Sequence, residues 1–184
     1  MAKFIPDLPE KAKSVPFYDD ATSEDGWQGQ ATSKTIEVLK SELTTSITRL
    51  GGIVTTFQRG KFHVDKNVRD GYLITYNIES ATGTMVPGKV EIAALPVKTD
   101  SRMSRTYEAR CQKSLKMALY MLIIAFDGMW FLQQLSPGYA PLMPFMLGKD
   151  DLTISQMWTE SKVFGNLLPS GDNEFIVEGE VKEL

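Results

Sequence analysis

Two residue types that carry much of protein chemistry are almost missing from this chain of 184 residues, which has one cysteine, Cys111, and one histidine, His63. A single cysteine excludes an internal disulfide and a thiolate-based zinc site, and it fits a reducing compartment. A lone histidine among lysines and arginines reads as a solvated turn residue, which leaves no base for a serine or cysteine nucleophile. Phosphate-loop, G-x-S-x-G, H-E-x-x-H and dinucleotide patterns are absent too. The acidic pairs Asp19-Asp20 and Asp150-Asp151 are neighbours that do not readily converge on one ion. The sequence therefore proposes no catalytic residue, metal or cofactor, and the chain is read as non-enzymatic.

Long hydrophobic runs are also lacking. The longest, residues 117–126, falls short of the roughly 20 residues that span a bilayer. The first residues carry Pro6 and Pro9 and no apolar segment of the kind a secretory signal needs. These absences lead to the expectation of a soluble, cytoplasmic protein with no membrane partner. A hydrophobic content of 42% with 23% charged residues is ordinary for one globular domain.

Charge is unevenly spread. Residues 1–34 carry four basic and six acidic groups, residues 35–116 thirteen and eight, and residues 117–184 three and nine. A basic middle between acidic ends is a patterning clue that the net charge of −3 conceals.

Residues 1–31 have no sustained period and read as a flexible N-terminal arm. Thr32 or Ser33 is then expected to cap a helix with Ile36, Leu39, Leu43, Ile47 and Leu50 on one face, ended by Gly51-Gly52. Three strands are expected next. One lies at residues 53–57; one has Tyr72, Ile74, Tyr76 and Ile78 alternating with polar or smaller neighbours; one lies around Val90, Ile92 and Ala94. The stretches between them are rich in turn formers and suit antiparallel hairpins. A long helix over 103–134, a proline-broken hydrophobic loop over 137–147, a short helix around 153–164 and an acidic tail over 165–184 complete the chain. The fold class is α+β, with an α-β-β-β-α core in one domain, residues 32–164, and a three-stranded antiparallel sheet covered by helices.

The long helix has two unlike halves. At 100° per residue, Arg102, Arg105, Arg110, Lys113 and Lys116 fall on one cationic stripe roughly 20 Å long. The opposite side carries Tyr107, Cys111, Leu115, Ala118 and Leu122, as packing on a sheet requires. A second basic cluster, Arg59, Lys61, Lys66 and Arg69, surrounds Phe62 and precedes Tyr72. Cations interleaved with rings suit a single-stranded nucleic acid, whose phosphates follow the charges while its bases stack. The leading expectation is thus single-strand binding of annealing or protecting type, DNA or RNA. Phe62 and Tyr72 would stack, and Arg59, Lys61, Lys66, Arg69, Arg102, Arg105, Arg110, Lys113 and Lys116 would grip backbone. Charged hairpin tips and helix faces are common for solubility alone, and that plain alternative stands beside it.

The order α-β-β-β-α resembles the double-stranded RNA-binding domain, whose lysine cluster opening the second helix is echoed by Lys113 and Lys116 in QKSLKMAL; the Gly-Pro and histidine loop of that family is missing from SATGTMVPG. It is similar as well to the core of Rad52-like single-strand annealing proteins, with a basic hairpin comparable to residues 59–69. IAALPV, a basic-to-apolar helix and LMPFML resemble small uncharacterised proteins of phages and mobile elements. The first two resemblances imply nucleic-acid binding, and the third implies no activity.

From Met117 the long helix is apolar all round, with Asp127 its one charge before Gln133. Such a surface exceeds what one small sheet covers, so a homo-oligomer is expected, with Met121, Trp130 and Phe131 near the contact. The rival function follows from it: a protein-interaction module or phage inhibitor working through this helix and the proline-rich loop, with no nucleic acid. Its mark would be a basic stripe paired with carboxylates of a neighbouring element. The acidic tail could shield a basic site or recruit a protein partner.

Overall fold

The computed structural model describes residues 15–64, 67–80, 82–99 and 106–159. Helix α1, Ile36–Arg49, starts where the Thr35 hydroxyl accepts from the Val38 N–H, satisfying one of the donors a helix start leaves open. The cap is therefore Thr35 rather than Thr32 or Ser33. Leu39, Leu43 and Ile47 are fully buried along one face, and Gly51, at φ +92, reverses the chain with the left-handed turn that only glycine makes cheaply.

Strands β1, Gly52–Val64, and β2, Asn67–Glu79, form one long antiparallel hairpin, and β3, Met85–Ala93, pairs with β2 along Gly71–Glu79. Sheet order is β1-β2-β3. The stretch expected to be a connection between the first two strands is therefore mostly strand, and the hairpin projects beyond the end of β3. What holds it extended is cross-strand chemistry: Lys61 stands opposite Asp70, and the Phe62 ring lies over Gly71, where a side chain would collide with it. An extra residue, Thr55, bulges β1 between Val54 and Thr56, and both threonine hydroxyls reach that of Thr75.

Residues 70, 72, 74 and 76 of β2 face the helices, and Tyr72, Ile74 and Tyr76 are buried there. The other face carries Thr75, Gln58 and the Lys89–Glu91 pair. Helix α2, Tyr107–Leu135, begins at Thr106, whose hydroxyl accepts from the Ala109 N–H. Leu115, Leu119 and Phe126 enter the main core with α1 and the sheet. An 18-residue window of this helix has a mean hydropathy of 1.6, so the helix as a whole meets the length and composition of a membrane span even though its unbroken apolar run is short. Within the domain it forms the wall that α1, the sheet and the N-terminal segment pack against.

Residues 15–31 are packed rather than free. Ala21 is buried with Leu95 and Met117, Tyr18 and Trp27 lean on that cluster, and Gly29 fits directly against the Tyr120 side chain. After α2 the proline-rich segment turns back. Leu142 is buried in the main core, Phe145 meets Phe126 edge to face at 5.8 Å, and the Leu147 N–H donates to the Pro87 carbonyl, covering part of the β3 edge. A short 3-10 turn, Met143–Phe145, and helix α3, Ile154–Thr159, end the described chain.

Gly88 is a close-packed point of this arrangement, because the Tyr76 ring occupies the space a β-carbon there would need. Gly88→Val is expected to lower stability by about 1–3 kcal/mol through overpacking. Gly60→Ala, at a site with nothing near the added carbon, should change it by less than about 0.5 kcal/mol. Urea denaturation of the two variants beside the parent protein measures the difference.

Candidate functional site

The two basic clusters are treated very differently by the fold. Arg110, expected on an exposed stripe, is buried: its guanidinium meets both carboxylate oxygens of Asp19 at 3.0 Å, and the side chains are only 6% and 7% exposed. The helix projection that placed Arg110 with Lys113 and Lys116 is correct, but residues 15–31 lie over that side of α2 and bring a carboxylate with them. Arg102 and Arg105 lie outside the described residues. Lys113 and Lys116 are half-buried, and among the described residues neither has a carboxylate partner.

On the hairpin, Tyr72 cannot offer a ring to a base. It is 2% exposed, packed edge-on against Phe57 with the Lys40 ammonium over its face. Its place follows from the period of two that puts Ile74 and Tyr76 in the core. Arg69 is buried as well, and its Nε has no hydrogen-bond partner. Phe62 is half-buried on Gly71. Arg59 is exposed but pairs with Asp70 at 3.5 Å, and Lys61 and His63 are exposed on β1. Lys66 lies outside the described residues.

Among the described residues, the clusters do not merge into one surface. Lys61, Asp70 and Arg110 all act electrostatically on Cys111, so the basic end of the hairpin lies beside that residue. Lys113 and Lys116 sit about 200° and 140° around the helix from Cys111, on the far side. Cys111 itself is no activated nucleophile: burial pushes its thiol up, Asp70 adds to the rise, and the Tyr107 hydroxyl bond with Arg110 and Lys61 offsets only part of it.

The surfaces expected for oligomerisation are also redistributed. Met121 packs against the cluster of Ala21, Leu95 and Met117, and its sulfur accepts from the Gln28 N–H. Trp130 is half-buried, with the Arg49 guanidinium 4.0 Å from its ring centre. Phe131 remains open at 59% exposure, and with it Ile124, Leu132 and Leu135. Ile124, Gly128, Phe131 and Leu135 are spaced four, three and four residues apart, which is one face of a helix.

Sequence reasoning missed a cleft between α1 and α2, of about 370 Å³, lined in part by Lys34, Glu42, Ser46, Tyr120, Ile124 and Asp127. Asp127 accepts from the buried Ser46 hydroxyl at 2.9 Å and meets Arg49 at 3.4 Å, and Lys34 holds both oxygens of Glu42. Each charge is already paired, so the cleft has the size for a small guest but no unmatched charge to select one. The signal was available: a lone Asp127 in an apolar helix needs a partner. Among the described residues no group of three metal-ligating side chains forms.

No family model, curated protein or solved structure matches this chain.

Removing one partner of the buried pair strands the other, which typically costs about 3–5 kcal/mol. Asp19→Ala should therefore destabilise the domain by about that amount, and Asp19→Ala with Arg110→Met should recover most of the loss, by chemical denaturation. Cys111 should react with a thiol reagent at pH 7 more slowly than free cysteine, because less of it is thiolate.

Proposed function

We propose that this chain is a protein-interaction module that self-associates, with the open stripe of α2 as its contact surface. The observation that carries the reading is the set Ile124, Phe131, Leu132 and Leu135, large apolar side chains left exposed on the second half of α2. Contiguous exposed apolar side chains are costly in water and mark contact surfaces in folded proteins. Burying such a surface returns about 25 cal/mol per Å² before the costs of association. The pairing of Arg110 with Asp19 supports the same reading: a basic stripe tied to a carboxylate of a neighbouring element is less available to phosphates.

A second reading, single-strand nucleic-acid binding, is favoured by Lys61 on the projecting hairpin and by Lys113 and Lys116. It now rests on fewer groups, since Tyr72, Arg69 and Arg110 are buried. Its affinity would be electrostatic and salt-sensitive.

Light scattering at micromolar concentration tests the first reading. The protein is expected to have at least the mass of a dimer, and Phe131→Ser with Leu135→Ser to have that of a monomer while keeping its helical circular dichroism. A parent protein that is monomeric throughout overturns it. Fluorescence anisotropy with a labelled oligonucleotide at low salt tests the second reading: binding that weakens on Lys113→Glu with Lys116→Glu supports it, and a flat titration ends it.

A further inference from the structure

Among the described residues, the 13-residue strand β1 forms an open edge of the sheet. β1 pairs with β2 on one side, and among the described residues no strand lies on the other. An edge strand directs alternate N–H and C=O groups outward, ready to template another strand. The half of β1 beyond the bulge is also chemically two-faced. Arg59 and Lys61 lie on the side of the helices, and Phe62 and Val64 lie on the other side.

The chain contains a segment with the matching pattern. In residues 174–182, a period of two puts Phe175, Val177 and Val181, with Gly179, on one face, and Glu174, Glu178 and Glu180, with Ile176 and Lys182 among them, on the other. The α2 stripe does not use these residues. We infer that residues 174–182 dock in cis as a fourth strand on the open edge of β1 alongside residues 57–64, with the glutamates beside Arg59 and Lys61 and the apolar face beside Phe62.

The described chain ends at Thr159, just after Gln156, which donates to Glu91 on β3. From β3 to the outer side of β1 is only a few strand spacings, of about 5 Å each. Residues 160–173 can span up to about 46 Å when extended, so the tail reaches β1 with slack. Main-chain bonds would supply affinity, and the alternating charged and apolar faces would choose register. Docked there, the tail would also place carboxylates on the exposed cations of the hairpin.

Two measurements on the full-length chain test this. Amide hydrogen exchange of β1 residues 57–63 is expected to be slow in the parent and to accelerate about tenfold or more in Glu174→Lys, Glu178→Lys, Glu180→Lys, with β2 as the internal control. A nitroxide on Ile176→Cys, in a Cys111→Ala background, should broaden the amides of residues 57–63 within the same molecule. Equal exchange in parent and variant together with no broadening overturns the proposal. Broadening seen only when spin-labelled chains are mixed with separately isotope-labelled ones overturns docking in cis and assigns the tail to a second copy.

Discussion

A helix that loses its polar face halfway along its length has to be enclosed on several sides, and a three-stranded sheet encloses one. The rest of this domain is arranged around that constraint. Leu115, Leu119 and Phe126 are taken by the sheet and α1. Met117 and Met121 are taken by the cluster around Ala21, Leu95 and Trp27, and the returning segment places Phe145 on Phe126. Several polar groups inside this enclosure find partners, as the low dielectric of a packed interior favours, while Arg110 Nε is left without one. The Ser114 hydroxyl donates to the Leu95 carbonyl, and Asp127 accepts from Ser46.

The ion pair between Asp19 and Arg110 belongs to the same enclosure. Taking both charges from water costs several kcal/mol per ion, and their attraction returns this only when the geometry is good. Here both carboxylate oxygens lie at 3.0 Å from one guanidinium nitrogen. Contacts among Ala21, Trp27 and the two methionines tolerate sliding, as apolar contacts do. A charge pair of this geometry does not, and it sets the position of residues 15–31 along α2. The Lys98 backbone N–H, which donates to the same Asp19 at 3.0 Å, ties the exit from β3 to the same point.

Periodicity carried most of the architecture. The alternation from Tyr72 to Ile78 and the apolar face of α1 lead directly to the sheet and helix observed, because local period and burial agree there. The same alternation placed Tyr72 inside with Ile74 and Tyr76, against a stacking role. What local pattern cannot carry is a partner distant in sequence. Arg110 looks like any surface arginine until Asp19, 91 residues away, is brought beside it. Met121 and Trp130 look like free apolar surface until Gln28 and Arg49 cover them. Glycine, aspartate and lysine are poor strand formers, so local preference leaves the hairpin short; the pairing of Lys61 with Asp70 and the packing of the Phe62 ring on Gly71 override that preference.

Sequence charge and surface charge thus part company in this domain. A stripe counted along a helix is a binding surface only where nothing else in the fold claims it, and the N-terminal segment claims one member of this stripe with a carboxylate. Among the described residues, the cations of the two clusters left at the surface are divided between the exposed Arg59 and Lys61 on the hairpin and the half-buried Lys113 and Lys116 on the far side of α2. Ile124, Phe131, Leu132 and Leu135 are all exposed and come from one rigid element. A rigid, pre-formed face loses less entropy on association than a set of side chains that must be gathered, which is the physical ground for proposing the end of α2 as the contact surface.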